Sequence, residues 1–181
     1  MQNLFHVLLI LIGAAVALFV AVVLLNPVSS SSNFEASSGQ TEPLIPPEIE
    51  GFKVERIDRA DPIFEGELFS VHASFAPTVD SPFQGAVENL GITLFLLRTA
   101  QAANEIKSLL LSGAEETSEL TVGAVRMQSF SNRDARLSGL LWHEGEKLYY
   151  VLVAGVDSVE FDLNALQQAA QLAATAIVVK K

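Results

Sequence analysis

Three histidines, a loop rich in acids and the step Ser138-Gly139 are the groups in this chain whose types and spacing could do chemistry. His143 stands beside Glu144 and Glu146, the densest local grouping of a base with acids. Hairpin ends are polar as a rule, so this grouping reads as a solvated turn. His72 reads as an ordinary strand residue, and His6 falls inside an apolar run. Zinc needs three or four ligands close together, and no His-Glu-x-x-His or comparable spacing occurs. Asp58, Asp61, Glu65 and Glu67 suggest a calcium loop at first sight. Such a loop alternates its oxygens around a central Gly and closes on a Glu. Here Pro62 and Phe64 fall where ligands belong, and Arg56 and Arg59 neutralise the acids, so a solvated acidic loop is expected. Serine catalysis would need a Gly-x-Ser-x-Gly elbow or an equivalent Ser/His/Asp set. Ser138-Gly139 instead lies within a strand pattern, and Gly113 and Gly123 are isolated rather than part of a phosphate loop. The expectation is therefore no catalytic residues, no cofactor and no metal.

Contact chemistry is a different matter. The segment Ser81-Pro82-Phe83-Gln84-Gly85 offers an aromatic between Pro and Gly, as contact loops often do. Pro82, Phe83 and Gln84 are the candidate contact surface; the alternative is that Phe83 folds back to plug the core. The closing helix carries no charge between Asp162 and Lys180, and its polar face is Asn164, Gln167, Gln168, Gln171 and Thr175. Such an Ala-rich face permits close packing, by default within its own domain.

The elements that must position these groups follow from periodicity. Gly51–Ile57 suits an edge strand. Leu68–Phe75 follows, with Leu68, Val71, Ala73 and Phe75 as its apolar set. Ala76–Asn89 holds Pro77 and Pro82 and reads as a long loop. Ile92–Leu97 is apolar on both faces, the mark of a central strand covered from both sides. Thr99 is placed to cap a helix that runs to about Ser112 and ends at Gly113, with Ala102, Ala103, Ile106, Leu109 and Leu110 at helical spacing. Leu120–Phe130 gives one or two strands broken at Gly123. Leu137–His143 and Lys147–Ala154 form a hairpin around Glu144-Gly145-Glu146. A helix from about Asp162 to Val178 closes the chain, its buried stripe Leu163, Leu166, Ala170, Ala173 and Ile177. The fold class expected is α+β, a mostly antiparallel sheet with two packed helices, preceded by a transmembrane helix.

That last expectation rests on the apolar run from Leu4 to Leu25, interrupted only by His6. Roughly 22 residues at about 1.5 Å each reach about 33 Å, enough to cross a hydrocarbon core of about 30 Å. A cleaved leader would have a basic start and a shorter apolar stretch; no Lys or Arg precedes this run, and large residues fill Leu18 to Leu25. The domain organisation expected is a single-pass anchor over 1–26, a Ser/Pro-rich tether over 27–46 and an extracytoplasmic domain over 47–181. The first basic residue is Lys53, so the positive-inside rule is silent, and the N-terminus is expected inside with the domain outside. The chain has no Cys, which removes disulfides, thiolate metal sites, a lipobox and a thiol nucleophile. Its net charge of −10 disfavours nucleic acid and anionic headgroups as partners.

The last third adds a resemblance. Leu140-Leu141-Trp142-His143-Glu144-Gly145, then Tyr149-Tyr150-Val151-Leu152-Val153-Ala154-Gly155 and a Leu-rich closing helix, resemble bacterial extracytoplasmic domains of unknown function. Those domains follow the membrane helix in anti-sigma-like regulators and also occur in lipoproteins. The motif is structural, and the resemblance implies a fold and a compartment. With three residues before the apolar run, the regulators' cytoplasmic sigma-binding or zinc-binding module is not expected here. The function expected is a membrane-anchored, non-enzymatic binding or accessory module. Its partners are the bilayer, through residues 4–25, and an envelope protein; the alternatives are an anchored envelope hydrolase or a small-ligand sensor using loop 76–90.

Overall fold

The computed structural model describes residues 45–157 and 160–179. The expected anchor over 1–26 and nearly all of the expected tether over 27–46 lie outside the described residues. Pro43–Lys181 forms one compact unit. Among the described residues, no helix is long and apolar enough to cross a membrane.

The unit is an α+β domain built on one seven-stranded, fully antiparallel sheet. In chain order its elements are β1 (Phe52–Ala60), β2 (Glu67–Pro77), β3 (Val87–Leu97), α1 (Ala100–Leu110), β4 (Glu116–Val122), β5 (Val125–Asn132), β6 (Leu137–Glu144), β7 (Lys147–Gly155) and α2 (Leu163–Val179). The strands lie in the order β1-β2-β3-β7-β6-β5-β4. Two meanders therefore meet where β7 returns beside β3, and the chain crosses between them through α1.

Alternation along the strands explains the three layers. On β7, Tyr149, Val151 and Val153 face one way and join Leu166, Ala169, Ala170, Ala173, Ala174 and Ile177 of α2. Leu148, Tyr150 and Leu152 face the other way and join Ala102, Ala103 and Ile106 of α1. Small alanines let α2 approach the sheet closely, and Asp162 caps it by accepting from the Ala165 amide at 3.0 Å. Thr99 caps α1 through the Ala102 amide at 3.3 Å, and the chain leaves the helix at Leu111, two residues before Gly113.

Several apolar assignments shift for local reasons. Leu68 is 44% exposed: it lies three positions before Val71, so alternation turns it away from Val71, Ala73 and Phe75, which keep their inward places. Leu109 is 56% exposed on the outer face of α1. β1 runs on to Ala60 and β2 to Pro77, so the loop between β2 and β3 shortens to 78–86. Ile45 and Ile49 are already buried in the core, so packing begins just ahead of the expected boundary at 47. The hairpins turn on Gly123 (φ +60°) and Gly145 (φ +58°), each the first of two turn residues, where a positive φ favours glycine.

Candidate functional site

The loop that carries the candidate contact surface is tied down from within. The Ser81 Oγ accepts from the Phe83 amide at 3.2 Å, and the Phe83 carbonyl accepts from the Ala86 and Val87 amides. Phe83 itself is buried and stacks on Phe52 with ring centroids 5.2 Å apart. Pro82 and Gln84 remain exposed on either side of it. The loop thus presents a proline and an amide, while the aromatic ring belongs to the core.

The acids of the first hairpin are not gathered. Asp58 lies on β1 and pairs with Arg56. Glu67 is buried and its Oε2 accepts from the Ile63 and Phe64 amides at 2.9 and 3.1 Å, so it closes the turn on itself. Ser138 is fully buried and donates to the Phe130 carbonyl at 3.3 Å, a packing role within the sheet.

His72 belongs to a row of residues that crosses every strand. Through successive pairings, Asp58, His72, Thr93, Tyr150, Leu141, Gln128 and Glu119 stand side by side on the face that α1 covers. The 11 residues of α1 reach about 16 Å, against about 29 Å across seven strands, so α1 covers only the middle of the row. His72 Nδ1 lies 2.8 Å from the Thr93 hydroxyl, and its buried Nε2 has no hydrogen-bond partner. A buried lone pair costs less than a buried unpaired N–H, so the proton belongs on Nδ1, donated to Thr93. Burial lowers the imidazole's proton affinity; Asp58 opposes this and Arg56 adds to it. Burial alone raises the Tyr150 phenol above its ordinary range, and its ring stacks on Phe130 at 5.5 Å.

The open site lies elsewhere, in a fork of the sheet. The ladder between β5 and β6 runs from Asn132↔Leu137 to Gln128↔Leu141 and stops there. Both strands continue past that point, held only by their outer neighbours β4 and β7. The fork opens onto a shallow surface cleft of about 440 Å³ lined by Lys107, Ala124, Val125, Arg126, Trp142, His143 and Glu144. Lys107 comes from the last turn of α1, Arg126 from β5 beside its turn, and His143 from the end of β6. Among the described residues neither Lys107 nor Arg126 has an ion-pair partner. Trp142 is buried, stacks on Tyr149 at 4.9 Å, and its indole N–H has no acceptor. His143 thus stands beside two cations as well as beside Glu144. A second cleft, along β1 and the end of β2, is lined by Lys53, Val54, Glu55, Ala76, Pro77, Thr78 and Val79.

Sequence spacing singles out His143 but not Lys107 or Arg126, which lie 36 and 17 positions away and meet it only through the fork. The cleft's lining supplies one carboxylate, one imidazole and no hydroxyl or thiol. It can hold a charged group by hydrogen bonds; it offers no second acid and no hydroxyl or thiol nucleophile. No protein-family model matches this chain, and neither a curated protein nor a solved structure matches it.

Proposed function

We propose that the chain is a single-pass, membrane-anchored module whose α+β domain stands outside the cytoplasmic membrane and acts by binding rather than by catalysis. The observation that carries the binding half is the fork cleft, where unpaired cations meet without a hydroxyl or thiol nucleophile or a second acid. The anchoring half is supported by the apolar run Leu4–Leu25, followed by Ser29-Ser30-Ser31-Ser32 and the Pro46-Pro47 pair. An envelope protein is the expected partner class, and the net charge of −10 keeps nucleic acid off the surface.

Membrane extraction tests the anchor. The full chain should stay with the membrane pellet through an alkaline carbonate wash, and a chain beginning at Pro27 should be released. Release of both forms by the wash contradicts anchoring.

A further inference from the structure

We propose that the fork between β5 and β6 is a binding site for a soluble phosphate-bearing molecule, held by Lys107, Arg126 and His143. This rests on the reading of the domain as a binding module and names the ligand class of that cleft.

Three observations lead there. The chain is strongly acidic overall, with 21 acids against 11 Lys and Arg, yet this cleft draws together two cations and an imidazole against a single acid, Glu144. Arg56, Arg133 and Arg136 each have a carboxylate partner here. Lys107 and Arg126, like Lys53, Arg59, Arg98 and Lys147, have none among the described residues, but these two come from different elements onto one cleft, so their charges add there. The third observation is geometric. A β-ladder that parts while both strands continue leaves a wedge rather than a flat surface, and this one has a volume suited to a small molecule.

Charge and donor count favour phosphate over carboxylate. A guanidinium holds two oxygens side by side, and an ammonium serves as a mobile point charge for a third. The imidazole of His143 adds another donor beside them. A phosphate monoester carries three terminal oxygens and a charge of about −1.5 to −2, which matches this set; a carboxylate has two oxygens and one charge. Trp142 joins the lining of the same cleft from β6, while its indole ring stacks on Tyr149 in the core beneath α2. The acidity of the remaining surface argues against a lipid headgroup, since a bilayer of anionic lipid would repel the domain around the cleft.

Trp142 is the chain's only tryptophan and belongs to the lining of the cleft, so its fluorescence is a reporter placed at the site. The experiment titrates the full chain in non-ionic detergent with inorganic phosphate at constant ionic strength, using sodium chloride as the control. A saturable change in Trp142 emission with phosphate and none with chloride is expected. Arg126→Gln and Lys107→Gln should each weaken binding about tenfold, the loss of one charge-assisted hydrogen bond. Both side chains leave the hydrophobic core untouched, and an unchanged circular dichroism spectrum and melting temperature verify that the variants fold. A response identical in chloride, or an unchanged affinity in both folded variants, overturns the site. Vesicles of phosphatidylcholine with and without phosphatidylglycerol separate the sources. Equal signals support a soluble ligand; a response to phosphatidylglycerol with none to phosphate overturns it. Because the titration is done in detergent, its failure would leave the membrane side of the domain undecided, and the two readings fall separately.

Discussion

His72 is held between opposing influences. Burial disfavours its charged form more than the nearby Asp58 carboxylate favours it, so its native proton affinity lies below the ordinary value of about 6.5. Between those two values the unfolded chain binds more protons than the native one, and stability therefore rises with pH. On acidification through about 6.5 towards the lowered native value, the stabilising effect of a neutral imidazole is lost. His72→Gln keeps a polar group beside Thr93 and cannot titrate. In urea unfolding, the stability of the wild type relative to this variant should be level above about pH 7 and fall on acidification. A relative stability that rises on acidification contradicts the assignment. Gly139 is a second residue whose type is dictated. A Cβ there would collide with the Val151 carbonyl oxygen and the Phe130 ring, both parts of the sheet itself. Gly139→Ala should cost about 3 kcal/mol by the measure of overpacked cores, read as a lowered urea midpoint.

Among the elements, the two helices depend on different things. α1 is short and relies on its cap, so Thr99→Ala should cost about 1 kcal/mol. α2 relies on close approach, with Ala169, Ala170, Ala173 and Ala174 against the sheet. Ala173→Leu should accordingly cost about 1–3 kcal/mol although leucine is a good helix former, and an unchanged melting temperature would show that α2 is not tightly seated. These elements are also where the sequence is most legible. The Thr99 cap, the doubly apolar β3 and the glycine turns at Gly123 and Gly145 are local signals, and each is found in its element. What was illegible depends on register. Leu68 lies three positions before Val71, so a period of two puts it on the opposite face from Val71, Ala73 and Phe75, and it is exposed beside the irregular end of the pairing. The end of β1, Asp58-Arg59-Ala60, is mostly exposed on an edge, so no apolar alternation marks it. Phe83 sits between Pro and Gly and could face either way in the sequence; its stacking on Phe52, more than 30 positions earlier, decides it.

At the scale of the whole molecule, topology makes the site. Two meanders joined through α1 bring β7 back beside β3, and helices then shield both faces of the sheet. The closed middle leaves the ends of strands as the places where ligands can enter, and the β5–β6 fork is such an end. Its basic residues come from three elements, so no spacing in the chain announces them; composition shows only a net negative charge, which hides a local positive cleft. The proposed anchor is the opposite case, an expectation that rests entirely on consecutive residues. The central claim, that this domain works outside the membrane, is tested most directly by using the absence of cysteine. A single Ser38→Cys substitution, in an otherwise thiol-free chain, is exposed in intact cells to a membrane-impermeant maleimide. Labelling before lysis is the result predicted; labelling only after lysis would place the domain in the cytoplasm and contradict the account.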